Sequence, residues 1–299
     1  MENTTYIWMD GKLVKWDDAK VHVLTHSLHY GSAVFEGIRA YETAQGAALF
    51  RLKDHMERFF SSGKAFGMEI PFSKRQLQDT ITEVVRKNRV RSGYVRPLAY
   101  YGEGYLGFDM RKKKVHVAIA VLPWMKYTAK KSVRVKVSSY LKISPRAIPI
   151  EAKVSGIYAN SIMALRDAQE EGFESAILLD EEGFVAEGPT ENILMVKDGK
   201  IIVPKRGTSL QSITKASIME IASDRKIGVV ERRITVKELR DADELFFAGT
   251  GSEITPIVKV DNKKIGDGKV GKITEILEEA YSNAIHGRDK KYRRWLTVV

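Results

Sequence analysis

Lys153 stands out among the many lysines because an uncharged stretch of chain follows it. Residues 154–165 carry no charged side chain. Tyr158, Ile162 and Leu165 recur there at helical spacing, which predicts a helix with one apolar face. A lysine amine among apolar neighbours has a lowered pKa, and this suits the amine to form a Schiff base. The segment by itself favours an ordinary surface lysine whose ammonium reaches solvent.

Three later segments carry groups that would complement a reactive lysine. Glu187 lies among small and apolar residues, where a carboxylate either stabilises a turn or pairs with a protonated ring nitrogen. Ser212 and Thr214 stand at a predicted helix start, where backbone N–H groups and the helix dipole favour a phosphate, although a plain N-cap is the commoner use of such residues. The residues 249–252 predict a turn with several N–H donors. Together with Lys153, these groups are the parts of a pyridoxal phosphate enzyme.

Composition limits the class of protein. The chain has 299 residues, of which 43% are hydrophobic and 29% charged, as expected of a folded protein with one large domain or two ordinary ones. No apolar run approaches the roughly 18 residues that span a bilayer. The first residues lack the basic and apolar regions of a signal peptide, so we expect a cytoplasmic enzyme with no membrane partner. With no cysteine, disulfides and a thiolate nucleophile are excluded.

The net charge of +11 raises nucleic acid as a partner. The basic clusters at 111–114, 130–131 and 290–294 are short and scattered, and no nucleic-acid-binding motif accompanies them. A solvated surface is therefore favoured, and we expect no nucleic-acid partner. A nucleic-acid-binding protein remains the alternative from a different class; it would show salt-sensitive binding and no coloured cofactor.

Two further motifs point to sites that the surrounding sequence does not support. The glycines of residues 102–107 match G-x-G-x-x-G, but a loop and a strand follow in place of the helix that a dinucleotide site needs. His22, His26 and His29 have no clear helical period and no carboxylate pair beside them. We therefore expect ordinary hydrogen-bonded histidines and no metal site.

Hydrophobic periodicity predicts two α/β domains, residues 1–123 and 133–299, joined by a linker over 124–132. In the first, one strand is expected over 34–41, with Phe35, Gly37, Arg39 and Tyr41 on one face. Its other expected elements are helices around 56–66 and 77–85 and strands over 94–101 and 115–122. In the second domain we expect a strand from Val133, helices near 156–171, 212–226 and 271–286, and short strands at 175–179, 192–196, 228–233 and 245–248.

Several stretches, in order along the chain, resemble the branched-chain amino acid aminotransferases, which are pyridoxal phosphate enzymes of fold type IV. These stretches are KVHVLTHSLHYGSAVFEGIRAY, FRLKDHMERF, YVRP, IPIEAKVSGIYAN, AEGPTENILMVKDG and FFAGTGSEITP. The resemblance covers nearly the whole chain. It implies an α/β (α+β) fold with a small N-terminal α/β domain and a larger C-terminal pseudo-barrel domain, and pyridoxal 5′-phosphate as cofactor.

The resemblance also implies roles for single residues. Lys153 would form the Schiff base with the cofactor, Glu187 would pair with its ring nitrogen, and Tyr158 would donate a hydrogen bond to its phenolic oxygen. The phosphate would be bound by Arg58, Ile213, Thr214 and Thr250. The substrate would be bound by Tyr30, Phe35, Gly37, Arg39, Tyr94, Arg96, Tyr105, Trp124, Thr250 and Gly251. In the family, the loop at 105–108 reaches the pocket of the partner subunit, which implies at least a homodimer.

The chain departs from the family pattern at the phosphate helix, where L-Q-S-I-T-K over 210–215 replaces L-P-G-I-T-R. On the same fold, a D-amino acid or (R)-amine transaminase or an aminodeoxychorismate lyase would share Lys153 and Glu187. The pair Tyr94 and Arg96, two residues apart, and the turn G-T-G-S-E-I-T-P favour the transfer of amino groups from leucine, isoleucine and valine to 2-oxoglutarate.

Overall fold

The computed structural model describes residues 4–123 and 131–299, which form two compact units. The first unit comprises 4–123 with Ala152–Ile157 and Ala284–Val299, and the second comprises 131–151 with Tyr158–Asn283. The domain boundaries at 123 and 133 stay a prediction. The units differ from that prediction in two segments, because the residues around Lys153 and the last residues of the chain belong to the first unit.

The described residues form seventeen strands and seven α-helices, numbered here in chain order. Up to residue 123 these are β1 Tyr6–Met9, β2 Lys12–Lys15, α1 His26–Tyr30, β3 Ala33–Phe35, β4 Ile38–Thr43, β5 Gly46–Phe50, α2 Leu52–Ala65, α3 Lys74–Lys87, β6 Gly93–Tyr101 and β7 Val115–Pro123. From residue 131 they are β8 Val133–Val137, α4 Tyr158–Glu170, β9 Ser175–Leu179, β10 Val185–Glu187, β11 Asn192–Lys197, β12 Lys200–Val203, α5 Ile213–Asp224, β13 Val229–Glu231, α6 Val236–Arg240, β14 Glu244–Gly249, β15 Glu253–Val260, β16 Lys263–Lys264, α7 Lys272–Ile285 and β17 Leu296–Val298.

The first unit is built on an eight-stranded sheet in the order β17-β5-β4-β6-β7-β1-β2, with β3 also paired to β6. The helices α2 and α3 carry apolar residues at helical spacing, as predicted, and bury Met56, Phe59, Leu77 and Ile81 completely. The strands predicted over 94–101 and 115–122 are confirmed as β6 and β7.

The single strand predicted over 34–41 is wrong. The structure has two strands there, because β3 pairs with Leu98–Tyr100 while β4 pairs with Gly93–Val95 of the same strand β6. The two residues between them, Glu36 and Gly37, leave the ladder. The alternating pattern continued across this break and concealed it. The break turns out to hold a buried carboxylate of the candidate site.

The second unit is built on a nine-stranded sheet in the order β10-β9-β8-β15-β14-β11-β12-β13, with β16 beside β15. The pairs β8–β9, β8–β15 and β12–β13 are parallel. Asp198 and Gly199 join β11 to β12 with φ of 49° and 71°, the conformation that a tight hairpin requires. The α/β fold class and the helices predicted near 156–171, 212–226 and 271–286 are confirmed.

The buried face of α4 is not the apolar face that carries Tyr158, Ile162 and Leu165. The helix buries Ser161, Ala164 and Ala168, whereas Ile162 is 64% exposed. Small side chains on that face allow α4 to pack closely against Ala176 and the other inward residues of β9. Size rather than hydrophobicity decides which face of this helix lies against the sheet.

Residues 102–107 lead into a short 3₁₀ turn at Met110–Lys112 and then β7, so the expected absence of a dinucleotide-binding helix after this motif is confirmed. None of the helices in the described part of the chain is both long and apolar enough to span a bilayer. The three histidines each hydrogen-bond within residues 22–32: His22 with the Leu24 N–H, His26 with Ser32 and His29 with the Val23 carbonyl.

Candidate active site

Lys153 lies on a short segment that is held on both sides by the first unit. Its N–H donates to Oγ of Ser62 on α2 at 2.9 Å. Its carbonyl accepts from the N–H of Phe35 at the end of β3 at 3.1 Å. The next residue, Val154, forms an antiparallel bridge with Val34. These backbone contacts fix the position from which the Lys153 side chain starts.

The amine of Lys153 lies close to an aromatic ring and to a buried arginine. Its Nζ is 4.9 Å from the centroid of the Phe35 ring. Burial, reinforced by the positive charge of Arg58, lowers the pKa of Lys153 from 10.5 to about 8, and the carboxylate of Glu36 acts in the opposite direction. A substantial fraction of this amine is therefore neutral near physiological pH, as a nucleophile or base must be.

Arg58 is bound by Glu36 through two parallel hydrogen bonds. Nε of Arg58 donates to Oε1 of Glu36 at 2.6 Å, and Nη2 donates to Oε2 at 2.9 Å. Nδ1 of His55 lies 2.8 Å from the same Oε2. The side chains of Glu36 and His55 are 0% and 1% exposed, and that of Arg58 is 13% exposed. These three residues are called here the Glu36–His55–Arg58 cluster.

Charge within this cluster is balanced. Burial alone would raise the pKa of Glu36, but Arg58 and His55 outweigh it and hold that pKa well below its usual range. Burial lowers the pKa of His55, although Glu36 opposes the shift. At neutral pH the cluster therefore holds an ionised carboxylate, a guanidinium and a neutral imidazole. Because the carboxylate only accepts, the proton of His55 lies on Nδ1.

Most of the predicted substrate-binding residues of the first unit lie together. The guanidinium carbon of Arg96 is 4.6 Å from the Phe35 ring centroid, and Nη2 of Arg96 donates to the Tyr94 hydroxyl at 3.0 Å. A Cβ on Gly37 would lie only 1.8 Å from that hydroxyl oxygen, so the site needs a glycine there. Arg39 is opposite Tyr94 in the pairing of β4 with β6 and is 2% exposed. These residues form a polar-edged aromatic wall.

Tyr30 and the loop at 105–108 form an exposed aromatic surface of the first unit. The Tyr30 and Phe108 ring centroids are 5.0 Å apart, and Phe108 is 76% exposed. Tyr105 is 59% exposed, and its carbonyl accepts a hydrogen bond from the Lys113 ammonium. The predicted substrate residue Trp124 lies outside the described residues.

In the second unit, Glu187 is 6% exposed at the end of β10 and has two polar partners. Nζ of Lys142 lies 2.5 Å from its Oε1, and Nδ2 of Asn192 donates to its Oε2 at 2.9 Å. Lys215 is buried, which lowers its pKa, while the charge of Glu187 opposes that shift. The buried carboxylate of Glu187 is thus paired with a cation, as a buried acidic group requires.

The predicted phosphate site at the start of α5 has the expected helix end. Oγ of Ser212 accepts from the N–H of Lys215 at 3.0 Å and caps the helix. Ile213 and Thr214 therefore occupy the first turn, where backbone N–H groups point along the helix axis towards the N-terminal end. Thr214 is 2% exposed. The departure from the family pattern at 210–215 thus leaves the helix start in place.

The predicted turn at 250–252 connects β14 to β15, and the pair of Gly249 with Glu253 closes it. Ser252 is 3% exposed, and its hydroxyl has no hydrogen-bond partner among the residues that the structure describes. Thr250 and Gly251 are partly exposed beside it. A buried hydroxyl without a partner is uncommon and indicates that a bound group or water completes it.

Five residues of these clusters were not predicted from the sequence. Glu36 gave a signal, since it is the one acidic residue in the apolar run 33–38. His55 and Ser62 gave a weaker one, because they stand on the same helix as Arg58 at spacings of three and four residues. For Lys142 and Lys215 the sequence offers no comparable signal among so many lysines.

Known proteins similar to this chain are aminotransferases, and the similarity extends along nearly the whole chain. The model of the family "Amino-transferase class IV" matches residues 33–260. The "Branched-chain-amino-acid aminotransferase" of Pseudomonas aeruginosa is 42% identical, over 98% of this chain and 97% of that protein. A crystal structure of the T.th. branched-chain amino acid aminotransferase complexed with N-(5′-phosphopyridoxyl)-L-glutamate is 44% identical with a TM-score of 0.96, over 99% of this chain and 98% of that one.

A second structure of the T.th. enzyme, with pyridoxamine 5′-phosphate, has a TM-score of 0.97 at 42% identity and covers 100% of this chain and 99% of that one. The family match extends from β3 to the end of β15 and includes Lys153, Glu187 and the start of α5. The chain belongs to the class IV aminotransferase family.

Proposed function

We propose that the protein is a pyridoxal phosphate-dependent transaminase that transfers the amino group of leucine, isoleucine or valine to 2-oxoglutarate. The observation that carries the proposal is the amine of Lys153, held beside Phe35 and Arg58 with its pKa lowered to about 8. The named relatives and the two solved T.th. complexes support it. The products are the branched-chain 2-oxo acid and L-glutamate.

The residues of both units fit this cofactor by their chemistry. In the first unit, Lys153 would hold the aldehyde carbon and Arg58 the phosphate. In the second, Glu187 is a buried carboxylate for the ring nitrogen, and the N-terminus of α5 suits a phosphate dianion. The hydroxyl of Ser252, which has no hydrogen-bond partner within residues 4–123 and 131–299, is consistent with a bound group at the neighbouring turn. Ile213, Thr214 and Thr250 would complete the phosphate site, and Tyr158 would donate to the phenolic oxygen.

Pyridoxal phosphate supplies an acceptor for the electron pair that the substrate Cα keeps when it loses its proton. Lys153 would remove that proton as the general base and return it to the cofactor as the general acid. A pKa near 8 suits both tasks, because the amine exchanges protons readily near neutral pH. Glu187, which is paired with Lys142, would accept a hydrogen bond from the ring nitrogen and favour its protonated form.

The substrate side chain would lie against the wall formed by Phe35, Tyr94 and Arg96. This wall offers apolar ring surface for leucine and polar groups for the second carboxylate of glutamate. Gly37 and Arg39 would shape it, and Thr250 with Gly251 would bind the α-carboxylate. Tyr30, Tyr105 and Trp124 would complete the pocket.

A homodimer at least is part of the proposal. Tyr30, Tyr105 and Phe108 expose between 46% and 76% of their surface, and large exposed aromatic clusters are typical of contact surfaces. In such a dimer the loop at 105–108 would reach the pocket of the partner. A cytoplasmic location is the simplest one for a chain with no cysteine.

The test is a visible absorption spectrum of the purified protein loaded with pyridoxal phosphate. We expect L-leucine, and not D-alanine, to bleach the band of the loaded protein and to yield the 2-oxo acid in equal amount. The Lys153→Ala variant should show neither the band nor the product. Bleaching by D-alanine alone would replace the proposal with a D-amino acid transaminase, and a protein that takes up no cofactor would overturn it.

A further inference from the structure

Glu36 is a buried acidic residue to which the proposed mechanism gives no task. It follows β3 directly, and its N–H donates to the Pro97 carbonyl of β6 at 2.9 Å. Its side chain is fully buried. An ionised carboxylate in such a place is costly unless it is paired and hydrogen-bonded. The residues that pair with it therefore indicate what it does.

The side-chain partners of Glu36 come from one face of α2, and its Oε2 also accepts from the N–H of Gly37 at 3.2 Å. His55, Arg58 and Ser62 are spaced three and four residues apart, so their side chains lie on the same side of the helix. His55 and Arg58 bind the Glu36 carboxylate, and Ser62 accepts the hydrogen bond from the backbone N–H of Lys153. One helix face thus carries both the partners of Glu36 and an anchor of the Lys153 segment.

The contact between Glu36 and Arg58 has the geometry that fixes a guanidinium in direction as well as position. Two parallel hydrogen bonds define the plane of the group. They involve two of its five N–H donors, along one edge. The hydrogen bond from Nδ1 of His55 also restricts rotation of the Glu36 carboxylate. A single lysine contact would leave the cation free to swing.

We propose that Glu36, supported by His55, is a positioning residue that orients Arg58 for the phosphate of the cofactor and sets the charge beside the Lys153 amine. The inference rests on the proposed function, in which Arg58 binds the phosphate. Glu36 itself would contact neither the cofactor nor the substrate.

The same arrangement balances charge around Lys153. The charged and titratable groups that act on its amine are Arg58 and Arg96, which lower its pKa, and Glu36 and Tyr94, which raise it. His55 also interacts with Lys153 and is neutral near pH 7 because its pKa is lowered. Without the charge of Glu36, the positive charge of Arg58 would act on the amine uncompensated.

The test compares Glu36→Gln with the exposed Glu57→Gln on the same helix, using pyridoxal phosphate and phosphate-free pyridoxal as probes of the apoenzyme. For Glu36→Gln we expect the affinity for pyridoxal phosphate to fall about 10- to 100-fold, the range of a lost charge-assisted hydrogen bond. The affinity for pyridoxal should change less than about threefold. Capture of pyridoxal, trapped by borohydride and measured by mass spectrometry, should reach half its maximal rate at a lower pH than in the wild type.

A merely structural role would weaken both probes equally and leave the pH of half-maximal capture unchanged, and this result would overturn the inference. If Glu36→Gln does not fold, His55→Gln is measured in its place. This variant leaves the Glu36–Arg58 pair intact, so a smaller loss, again confined to pyridoxal phosphate, is expected. An equal loss for both probes would again contradict the inference.

A double-mutant cycle locates the effect. If Glu36 acts through Arg58, adding Glu36→Gln to Arg58→Met should cost little further affinity for pyridoxal phosphate, whereas independent roles would give additive losses. A wild-type protein that prefers pyridoxal phosphate to pyridoxal, combined with an unchanged preference in Glu36→Gln, would refute the inference alone. A wild-type protein without that preference would refute the proposed function as well.

Discussion

Two buried carboxylates, Glu36 in the first unit and Glu187 in the second, are paired with different cations. Glu36 is bound by the two-pronged guanidinium of Arg58 and by His55. Glu187 is bound by one contact from the Lys142 ammonium and one from Asn192. An arginine fork fixes a carboxylate in a plane, whereas a lysine is a single charge on a flexible stem.

This difference indicates that Glu36 serves to hold other protein groups in place, whereas Glu187 is available to bind a ligand. Both oxygens of Glu36 accept from Arg58, and Oε2 also accepts from His55. The Glu187 carboxylate can turn to a new donor while it stays in contact with Lys142, because the flexible lysine side chain follows it at little cost. In a chain with many buried charges, the kind of cation beside each carboxylate thus helps to identify the reactive one.

The largest expected effect is that of Glu187→Gln. A neutral amide does not keep a proton on the ring nitrogen, so kcat should fall about 100-fold or more, while the affinity for pyridoxal phosphate changes far less. Steady-state kinetics with L-leucine and a cofactor titration measure the two quantities. Glu191→Gln is the matched control, because it makes the same change of side chain four residues away, at a carboxyl group whose pKa is raised by burial. An unchanged kcat in Glu187→Gln would reverse the assignment of the two carboxylates.

A smaller effect is expected from Gly37→Ala in the first unit. The new methyl group would collide with the Tyr94 hydroxyl, so the substrate wall must shift. We expect KM for leucine to rise roughly tenfold and the free energy of unfolding to fall by about 1–3 kcal/mol. Cofactor affinity should not change. Gly228→Ala, where the nearest atom lies 3.4 Å from the added Cβ, is the control. An equal KM in both variants would show that Tyr94 does not form the substrate wall.

The smallest expected effect concerns the pH at which the apoenzyme captures pyridoxal phosphate at half its maximal rate. Because the pKa of Lys153 is lowered to about 8, capture of pyridoxal phosphate by the apoenzyme should reach half its maximal rate near pH 8. An ordinary lysine would be less than about 1% neutral at that pH. The folded state then binds fewer protons than the unfolded state between about pH 8 and 10.5, so this group makes the protein more stable as pH rises through that interval.

The rate of capture is measured after borohydride trapping, with Lys153→Met as the variant that should give no adduct at this position. A midpoint near pH 10 would mean that the surroundings of Lys153 do not lower the pKa of its amine.

Local patterns in the sequence predicted the elements and part of the site. For Lys153 the segment alone favoured an ordinary surface lysine, whereas burial and the charge of Arg58 lower its pKa. Strand alternation placed Tyr94 and Arg96 on one face, where they hydrogen-bond. The start of α5 followed from Ser212 as its cap.

Contacts between distant segments could not be predicted in the same way. The pairing of Glu36 with Arg58, and that of Lys142 with Glu187, depend on how sheets and helices pack. The alternation across 34–41 concealed the break at Glu36 because periodicity reports which side a residue faces and not whether its backbone stays in the ladder. For α4, apolar spacing favoured Ile162, but close packing selected alanines instead.

The division of the first unit among three separate stretches of chain has a consequence for biosynthesis. Its edge strand β17 pairs with β5, and the Lys153 segment bridges to β3. The residues of the second unit lie in the sequence between these three stretches of the first unit. At about 5–20 residues per second, a ribosome needs roughly 10–35 seconds to proceed from residue 123 to β17. Throughout that interval the edge of β5 that later binds β17 has no partner strand. Its unpaired N–H and C=O groups are therefore open to pairing with another strand.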